Sequence, residues 1–248
     1  MDTTPPFKQS YAVLQKFYEH WLVRIEGRCR GHDQGQAAYY VWARYSMSMR
    51  TIDALLDPHL IPDLSVICRG CLEFDVALEA VIKDEGTARD YIEFGKHAKA
   101  TYLKILKKQG DIDRLLMRRE QFEETFGEDP EEFGRNSWCA KHQGITGLMQ
   151  KLQRPNDVRL YNILSHFAHG SVWAMQALEG STLQPEKTLA TMVEATYDRY
   201  LSSSRAFIWF IWQPLTTPEG EKCKTDFNEV HRRWLAANAG VNSGPSQA

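Results

Sequence analysis

The sequence predicts a single all-α domain, a bundle-like arrangement of about seven to nine helices. Three observations support this fold class. Apolar residues recur at three- and four-residue spacing in nearly every segment, strict apolar–polar alternation is hard to find, and glycine or proline interrupts the pattern at helix-length intervals. No repeat or linker divides the chain. We therefore expect one domain over residues 1–240 and a flexible tail over 241–248.

The first half of the chain has clear start and stop signals. Glycines follow the first predicted helix, and Pro58 and Pro62 prevent the second from continuing. The third segment is almost entirely apolar, which places it in the core. A capping-box pattern, "TARD" (87–90), opens the fourth helix, which ends at Gly110. The first three helices are predicted over 7–26, 36–56 and 64–82.

The second half begins with the most charged stretch, 111–136, where we expect one short helix and a long surface loop. Ser137 is the predicted cap of the next helix. A short helix then opens near Pro155 and contains the sequence "RLYNILSHFAHG" (159–170). The remaining helices are predicted over 138–152, from Pro185 to before Pro214, and over 226–240.

Composition narrows the functional classes. The 248 residues carry a formal net charge of -2, so the chain lacks the basic footprint of a dedicated nucleic-acid coat. The most apolar run, 206–212, is too short to cross a bilayer, and the first ten residues show no signal region. We expect a cytoplasmic protein that does not contact membranes. Five cysteines, an odd number, favour reduced thiols over a disulfide framework.

The segment 159–170 concentrates polar residues on one side of a helix. At about 100° per residue, its apolar residues fall on one side and its basic and amide residues fall within an arc of roughly 80° on another. A helix face that meets ordinary solvent would carry Lys or Glu, and this one carries neither. The apolar side holds Leu160, Ile163, Leu164 and Phe167. The polar arc holds Arg159, Asn162, His166 and His169, flanked by Tyr161 and Ser165.

These residue types suit chemistry on a phosphodiester. Histidine exchanges a proton near neutral pH, arginine neutralises the charge that grows on a phosphorane, and asparagine orients either group. Arg159, Asn162, His166 and His169 are therefore the predicted catalytic residues. The alternative is structural. Histidines at a helix C-terminus often interact with its free carbonyls and dipole, and Gly170 follows at once.

The third helix offers supporting residues. Arg69 and Glu73 are four residues apart in an apolar segment, so they share one helix face. A buried Arg–Glu pair is costly unless well satisfied. We expect it to fix Tyr161, Ser165 or a histidine of the neighbouring helix, or else to act as an internal strut.

Two family resemblances follow from these motifs. "RGCLE", "YIEFGKHAKATYLKIL", a helix with Trp138 and "YNILSHFAHGS" occur in the order of the bacterial family catalogued as domain of unknown function 5677, over about residues 35–215. The resemblance carries no activity. Members share an Arg-x-x-x-Glu helix and a late Tyr-x-x-x-Ser-x-x-x-His segment, matched here by Arg69, Glu73, Tyr161, Ser165 and His169.

The second resemblance is to the HEPN ribonucleases, helical proteins of bacterial toxin and antiphage defence systems. They carry an Arg, four to six residues, then a His, as Arg159 and His166 do here. In that family a polar residue often follows the Arg, whereas this chain has Leu160 there and Asn162 as the nearest substitute. The resemblance implies a homodimer with a composite, metal-independent site that cleaves RNA.

The functional hypothesis is thus a HEPN-like endoribonuclease whose partners are RNA and a second copy of the chain. The alternative is a non-catalytic interaction or sensor subunit of a defence or stress system, with a protein partner. No cofactor or metal is expected.

Other patterns receive structural interpretations. "CRGC" (68–71) and "CAKH" (139–142) can together supply four zinc ligands, but mid-helix cysteines are more often buried and inert. No βαβ pattern supports a redox role. The basic residues between Lys104 and Arg119 can guide RNA or form a solvated face. Trp209, Phe210 and Trp212 are expected in the core or at a subunit interface.

Overall fold

The computed structural model describes residues 6–95, 139, 142–169, 185–213 and 217–242. These residues form seven α-helices, a one-turn 3-10 helix and a further helical segment over 85–95, with no strand among them. The predicted all-α class is confirmed. The helices are α1 (Pro6–Cys29), α2 (Asp33–Ala54), α3 (Ile61–Lys83), α4 (Gly144–Lys151), α5 (Pro155–Ala168), α6 (Pro185–Ile211) and α7 (Pro218–Asn242), and the 3-10 helix is Pro58–Leu60.

Two predicted helix starts in the middle of the chain are wrong. The segment 85–95 is capped by Asp84, whose carboxylate accepts from the backbone N–H groups of Gly86 (3.2 Å) and Thr87 (3.1 Å), so the capping box at 87–90 is not its start. Helix α4 begins at Gly144. The carbonyl of Cys139 accepts from the N–H of both His142 and Gly144, which closes a turn before the helix. Ser137 and the charged stretch 111–136 lie outside the described residues.

The last helix is longer than predicted. It begins at Pro218, because the Thr217 hydroxyl accepts from the Gly220 N–H at 3.1 Å and proline suits the first helical position. Its final two residues are the first two of the predicted tail, and 243–248 lie outside the described residues. None of the described helices is both long and apolar enough to span a membrane.

Helix α3 is the centre of the packing. It contacts α2, α4, α5 and α6, while α1 packs mainly on α7. The main core is aromatic, and many of its polar atoms are paired: the Trp42 indole donates to the Ser204 hydroxyl at 2.9 Å, and the Tyr18 and Tyr200 hydroxyls bond each other. Trp212 is buried in this core, and Trp209 and Phe210 pack against its edge.

An ionic network fixes α5 to the bundle. Arg154, directly before α5, pairs with Asp75 and Glu79 of α3 and with Asp157 of α5, and its side chain is only 16% exposed. Arg199 of α6 lies 2.8 Å from Asp157 and 3.7 Å from Asp75. Burial alone would lower the pKa of the Arg154 guanidinium, but the two aspartates outweigh that effect and raise it. We call these charges, with the Ser203 hydroxyl that donates to Asp75, the Arg154 network.

The cysteines are five buried free thiols. Cys68 and Cys71 pack in the main core, whereas Cys139 belongs to a smaller cluster with Leu72 and Leu148, so the three cysteines of the alternative zinc set are divided between two apolar clusters. Within the described part of the chain, no three His, Cys, Asp or Glu side chains come together as metal ligands. Burial raises the pKa of Cys68 to about 11 and that of Cys29 to about 12.

Replacement of Arg154 by Met should destabilise the fold strongly. The variant leaves buried carboxylates of Asp75 and Asp157 without their main cation, so we expect a loss of about 3 to 5 kcal/mol in the free energy of unfolding. Urea denaturation followed by circular dichroism measures it. The control is Arg30→Met, which removes an exposed pair with Glu26 and should cost no more than about 1 kcal/mol. Equal losses in the two variants would contradict a special role for Arg154.

The thiols should resist alkylation in the folded protein. Burial raises the pKa of Cys68 to about 11, that of Cys29 and Cys223 to about 12, and that of Cys71 well above its ordinary value. All five thiols, Cys139 included, are also buried, which blocks access of the reagent. We expect iodoacetamide at pH 8 to label none of the five cysteines in native protein and all five in guanidinium chloride. Intact-mass spectrometry counts the adducts. Rapid native labelling of any cysteine would show that its thiol is exposed and reactive.

Candidate functional site

Arg69 joins the middle of α3 to the middle of α5 and to the residue that directly follows α5. Its Nη2 donates to the Tyr161 hydroxyl at 2.7 Å, and its Nη1 lies 3.1 Å from Nε2 of His169. The guanidinium carbon also lies 4.7 Å from the centre of the Tyr161 ring, a cation–π distance. The arginine therefore contacts two of the residues that the sequence groups with it.

Glu73 completes this cluster. Its Oε1 lies 3.4 Å from Nε of Arg69, an ion pair between adjacent turns of α3. That Nε is buried and makes no hydrogen bond with the described residues. Burial, followed by the Glu73 carboxylate, raises the pKa of Tyr161, and the Arg69 guanidinium opposes this shift. The Tyr161 phenol is therefore a neutral hydrogen-bond acceptor from Arg69 near neutral pH.

The contact with Arg69 fixes the hydrogen-bonding role of one ring nitrogen of His169. A guanidinium has only donors, so Nε2 of His169 must accept, and the imidazole is then neutral with its proton on Nδ1. His169 is the residue directly after α5, where its backbone N–H donates to the Ser165 carbonyl at 3.0 Å. While this geometry holds, His169 Nε2 cannot donate a proton. Nδ1 is the nitrogen left to interact with a ligand.

Ser165 does not join the cluster. Its hydroxyl donates to the Tyr161 carbonyl at 2.7 Å, one turn earlier on the same helix. Of the five residues matched to the family motif, the structure thus brings four together, namely Arg69, Glu73, Tyr161 and His169.

A cavity of about 520 Å³ opens beside these residues, and we call it the Arg69 pocket. Arg69, Glu73 and Tyr161 give it a charged and polar wall. Phe74, Tyr91 and Phe94 give it aromatic surface, and Ala77, Gly95, Cys139 and Ile145 complete the lining. The sequence gives no signal that the segment 85–95 reaches this pocket, because the contact depends on how that segment packs against α3.

The other predicted catalytic residues lie on the outer surface of α5. Arg159, Asn162 and His166 are all exposed, and Arg159 makes no ion pair with any described residue. Their spacing puts them on one helix face, as predicted. Arg69 instead bonds Tyr161 and His169. The predicted set is therefore divided into an exposed face and an interhelix cluster.

The Arg154 network is not among the features predicted from the sequence. Asp75 is a charged residue inside the apolar α3, and Arg154 stands directly before the proline that opens α5. Both features signal a buried pair, since an unpartnered charge in a core helix is costly. The partners are far apart in the chain, so their pairing is visible only in the fold.

Replacement of Arg69 by Lys should weaken the junction between α3 and α5. A single ammonium cannot reproduce the forked contacts with Tyr161 and His169, so we expect a loss of about 1 to 2 kcal/mol in the free energy of unfolding. Thermal and urea denaturation measure it. Arg159→Lys is the matched control on the exposed face and should change stability by less than about 0.5 kcal/mol. If Arg69→Lys is as stable as the control, the Arg69 contacts do not hold α5.

Comparison with known proteins supplies a family but no function. The model of a family of unknown function, DUF5677, matches residues 36–182, which is more than half of the chain and ends earlier than the predicted extent of the resemblance. No curated protein matches the chain, and no solved structure does. The matched region runs from within α2 to beyond α5 and hence includes Arg69, Glu73, Tyr161 and His169. The chain belongs to the family of unknown function DUF5677.

Proposed function

We propose that the protein is a metal-independent endoribonuclease that works as a homodimer. The observation that carries the proposal is the exposed face of α5, where Arg159, Asn162 and His166 meet solvent with no carboxylate paired to Arg159 among the described residues. An exposed arginine beside a histidine is available to a phosphodiester. The structure gives the exposure of these three side chains, and their proposed chemical roles follow from their residue types.

In the proposed reaction, His166 of one copy removes the proton from a ribose 2′-hydroxyl. The 2′-oxygen attacks the adjacent phosphorus, and the bond to the 5′-oxygen breaks as His166 of the other copy protonates that leaving oxygen. Arg159 stabilises the charge on the phosphorane. The products are a 2′,3′-cyclic phosphate and a 5′-hydroxyl, and no redox change occurs.

The departure from the HEPN pattern has a structural counterpart. Leu160, which stands where those enzymes often have a polar residue, is partly buried against the core. Asn162 is exposed with Arg159 and His166. Asn162 is therefore better placed than residue 160 to orient a substrate, which supports its proposed role.

A second candidate is a non-catalytic interaction or sensor subunit. The contact between Arg69 and the Tyr161 and His169 side chains favours it, because the family-motif residues then join two helices rather than act on a substrate. This candidate assigns no chemistry to Arg159 or His166. The two candidates differ in whether purified protein cuts RNA.

The direct test is incubation of purified protein with total RNA in EDTA. We expect fragments with 2′,3′-cyclic phosphate ends, and a loss of at least about 100-fold in rate for His166→Ala and for Arg159→Ala. Because both side chains are exposed, the variants should keep the wild-type melting temperature. His59→Ala and Arg89→Ala, exposed elsewhere, are the matched controls and should cut normally.

Absence of cleavage by the wild type, or equal losses in the control variants, would overturn the ribonuclease proposal and favour the interaction subunit. The dimer is tested separately. Multi-angle light scattering should give twice the chain mass, and the specific activity should fall on dilution below the dimer dissociation constant. A fully active monomer would exclude the composite site.

A further inference from the structure

A second and larger cavity, of about 670 Å³, lies between α2, α3, α5 and α6. Its walls are mainly apolar and include Leu72, Leu160, Ile163, Leu164, Met192 and Ala195. We call it the Tyr45 pocket, after the residue that α2 contributes. Its size falls within the range of sites that bind small organic molecules. The apolar side of α5 is thus a cavity wall, and Ile163 remains 37% exposed there.

Among the described polar residues of this pocket, Tyr45 contributes the buried hydroxyl without a partner. The other polar residues in the lining are Lys187, Thr188, Thr191, Thr196 and Arg199. Tyr45 is completely buried, yet its hydroxyl makes no hydrogen bond with the described residues. A buried hydroxyl without a partner is unfavourable, and a ligand acceptor would satisfy it. Burial, followed by the nearby Asp75 carboxylate, raises the pKa of this hydroxyl, so it remains a donor at neutral pH.

The charges near Tyr45 are already balanced. Arg199, one of the two cations in the described lining of the pocket, is paired with Asp157 and Asp75. In and beside the Arg154 network, three cations balance three carboxylates. The cations are Arg154, Arg199 and Lys83, and the carboxylates are Asp75, Asp157 and Glu79. A ligand anion bound there would therefore have no unpaired cation in this network to balance its charge. Lys187 lies twelve residues before Arg199 on α6, about 18 Å along the axis, too far to serve a group bound at Tyr45.

We propose that the Tyr45 pocket binds a neutral, mainly apolar molecule with one oxygen acceptor, such as a ketone or ester, which accepts a hydrogen bond from Tyr45. The apolar body occupies the space between α3, α5 and α6. The site is independent of the RNA-cleaving face, because Arg159, Asn162 and His166 do not line the cavity. Binding therefore does not require the protein to be an enzyme.

The test uses three probes with the same carbon count: valerophenone, pentylbenzene and 5-phenylpentanoate. The fluorescent dye N-phenyl-1-naphthylamine is first bound to the protein. Each probe is then titrated in, and the loss of dye fluorescence gives the affinity of the probe. We expect saturable binding of valerophenone, and binding of 5-phenylpentanoate at least about tenfold weaker, because an anion is not compensated at Tyr45. Equal or tighter binding of the carboxylate would overturn the assignment of a neutral ligand.

Two variants locate the probe. Tyr45→Phe should reduce the affinity ratio of valerophenone to pentylbenzene by about fivefold, the effect of one hydrogen bond. Tyr11→Phe, the matched control, removes another buried hydroxyl that lacks a partner among the described residues but does not line the pocket, and should leave the ratio unchanged. Ala195→Trp fills the cavity from an exposed position on α6 and should weaken all three probes by at least about tenfold.

Failure of valerophenone to bind saturably would overturn the proposal. So would an unchanged affinity ratio in Tyr45→Phe, an equal change in Tyr11→Phe, or full binding by Ala195→Trp. Ala195→Trp keeps the test decisive if Tyr45→Phe should unfold, because its substituted residue is on the surface. RNA cleavage is measured in parallel, so failure of this site and failure of the ribonuclease proposal are separate results.

Discussion

The position of α5 depends on the Arg154 network. This helix has few buried side chains of its own, Leu164 and Asp157 among them, so apolar burial alone gives it a weak attachment. Arg154 and Arg199 strengthen this attachment, because both arginines pair with Asp75 of α3 and with Asp157 of α5. Ion pairs of this kind are costly to bury, but they are directional and fix one orientation of the helix. That orientation decides what each side of α5 faces.

Three sides of α5 face three different environments. Tyr161 turns toward Arg69 and the pocket beside it, Leu160 and Leu164 form a wall of the Tyr45 pocket, and Arg159 meets solvent. A small rotation of α5 about its axis would exchange these environments. The two cavities and the exposed face are therefore consequences of a single docking geometry.

The aromatic core holds together the long helices to which α5 is attached. Trp42, Tyr200 and Ser46 form hydrogen bonds inside it, so most of the polar atoms brought in by these large side chains are satisfied. Tyr45 lies in the same layer, with its ring edge-on to Tyr200, but its hydroxyl is left without such a bond among the described residues. The contrast between these neighbouring tyrosines is what leaves a buried donor without a partner at the wall of the Tyr45 pocket.

The sequence by itself determined the all-α class, the helix positions marked by prolines and glycines, and the polar arc on α5, because these depend on local periodicity and on backbone limits. It also grouped Arg69 and Glu73, since four residues is one helical turn. Only the tertiary structure decided that Arg69 contacts Tyr161 and His169 but not Ser165, that Arg154 pairs with Asp75, and that two cavities flank α5. Those pairings join residues distant in the chain, and helix rotation and crossing decide them, which no local pattern encodes.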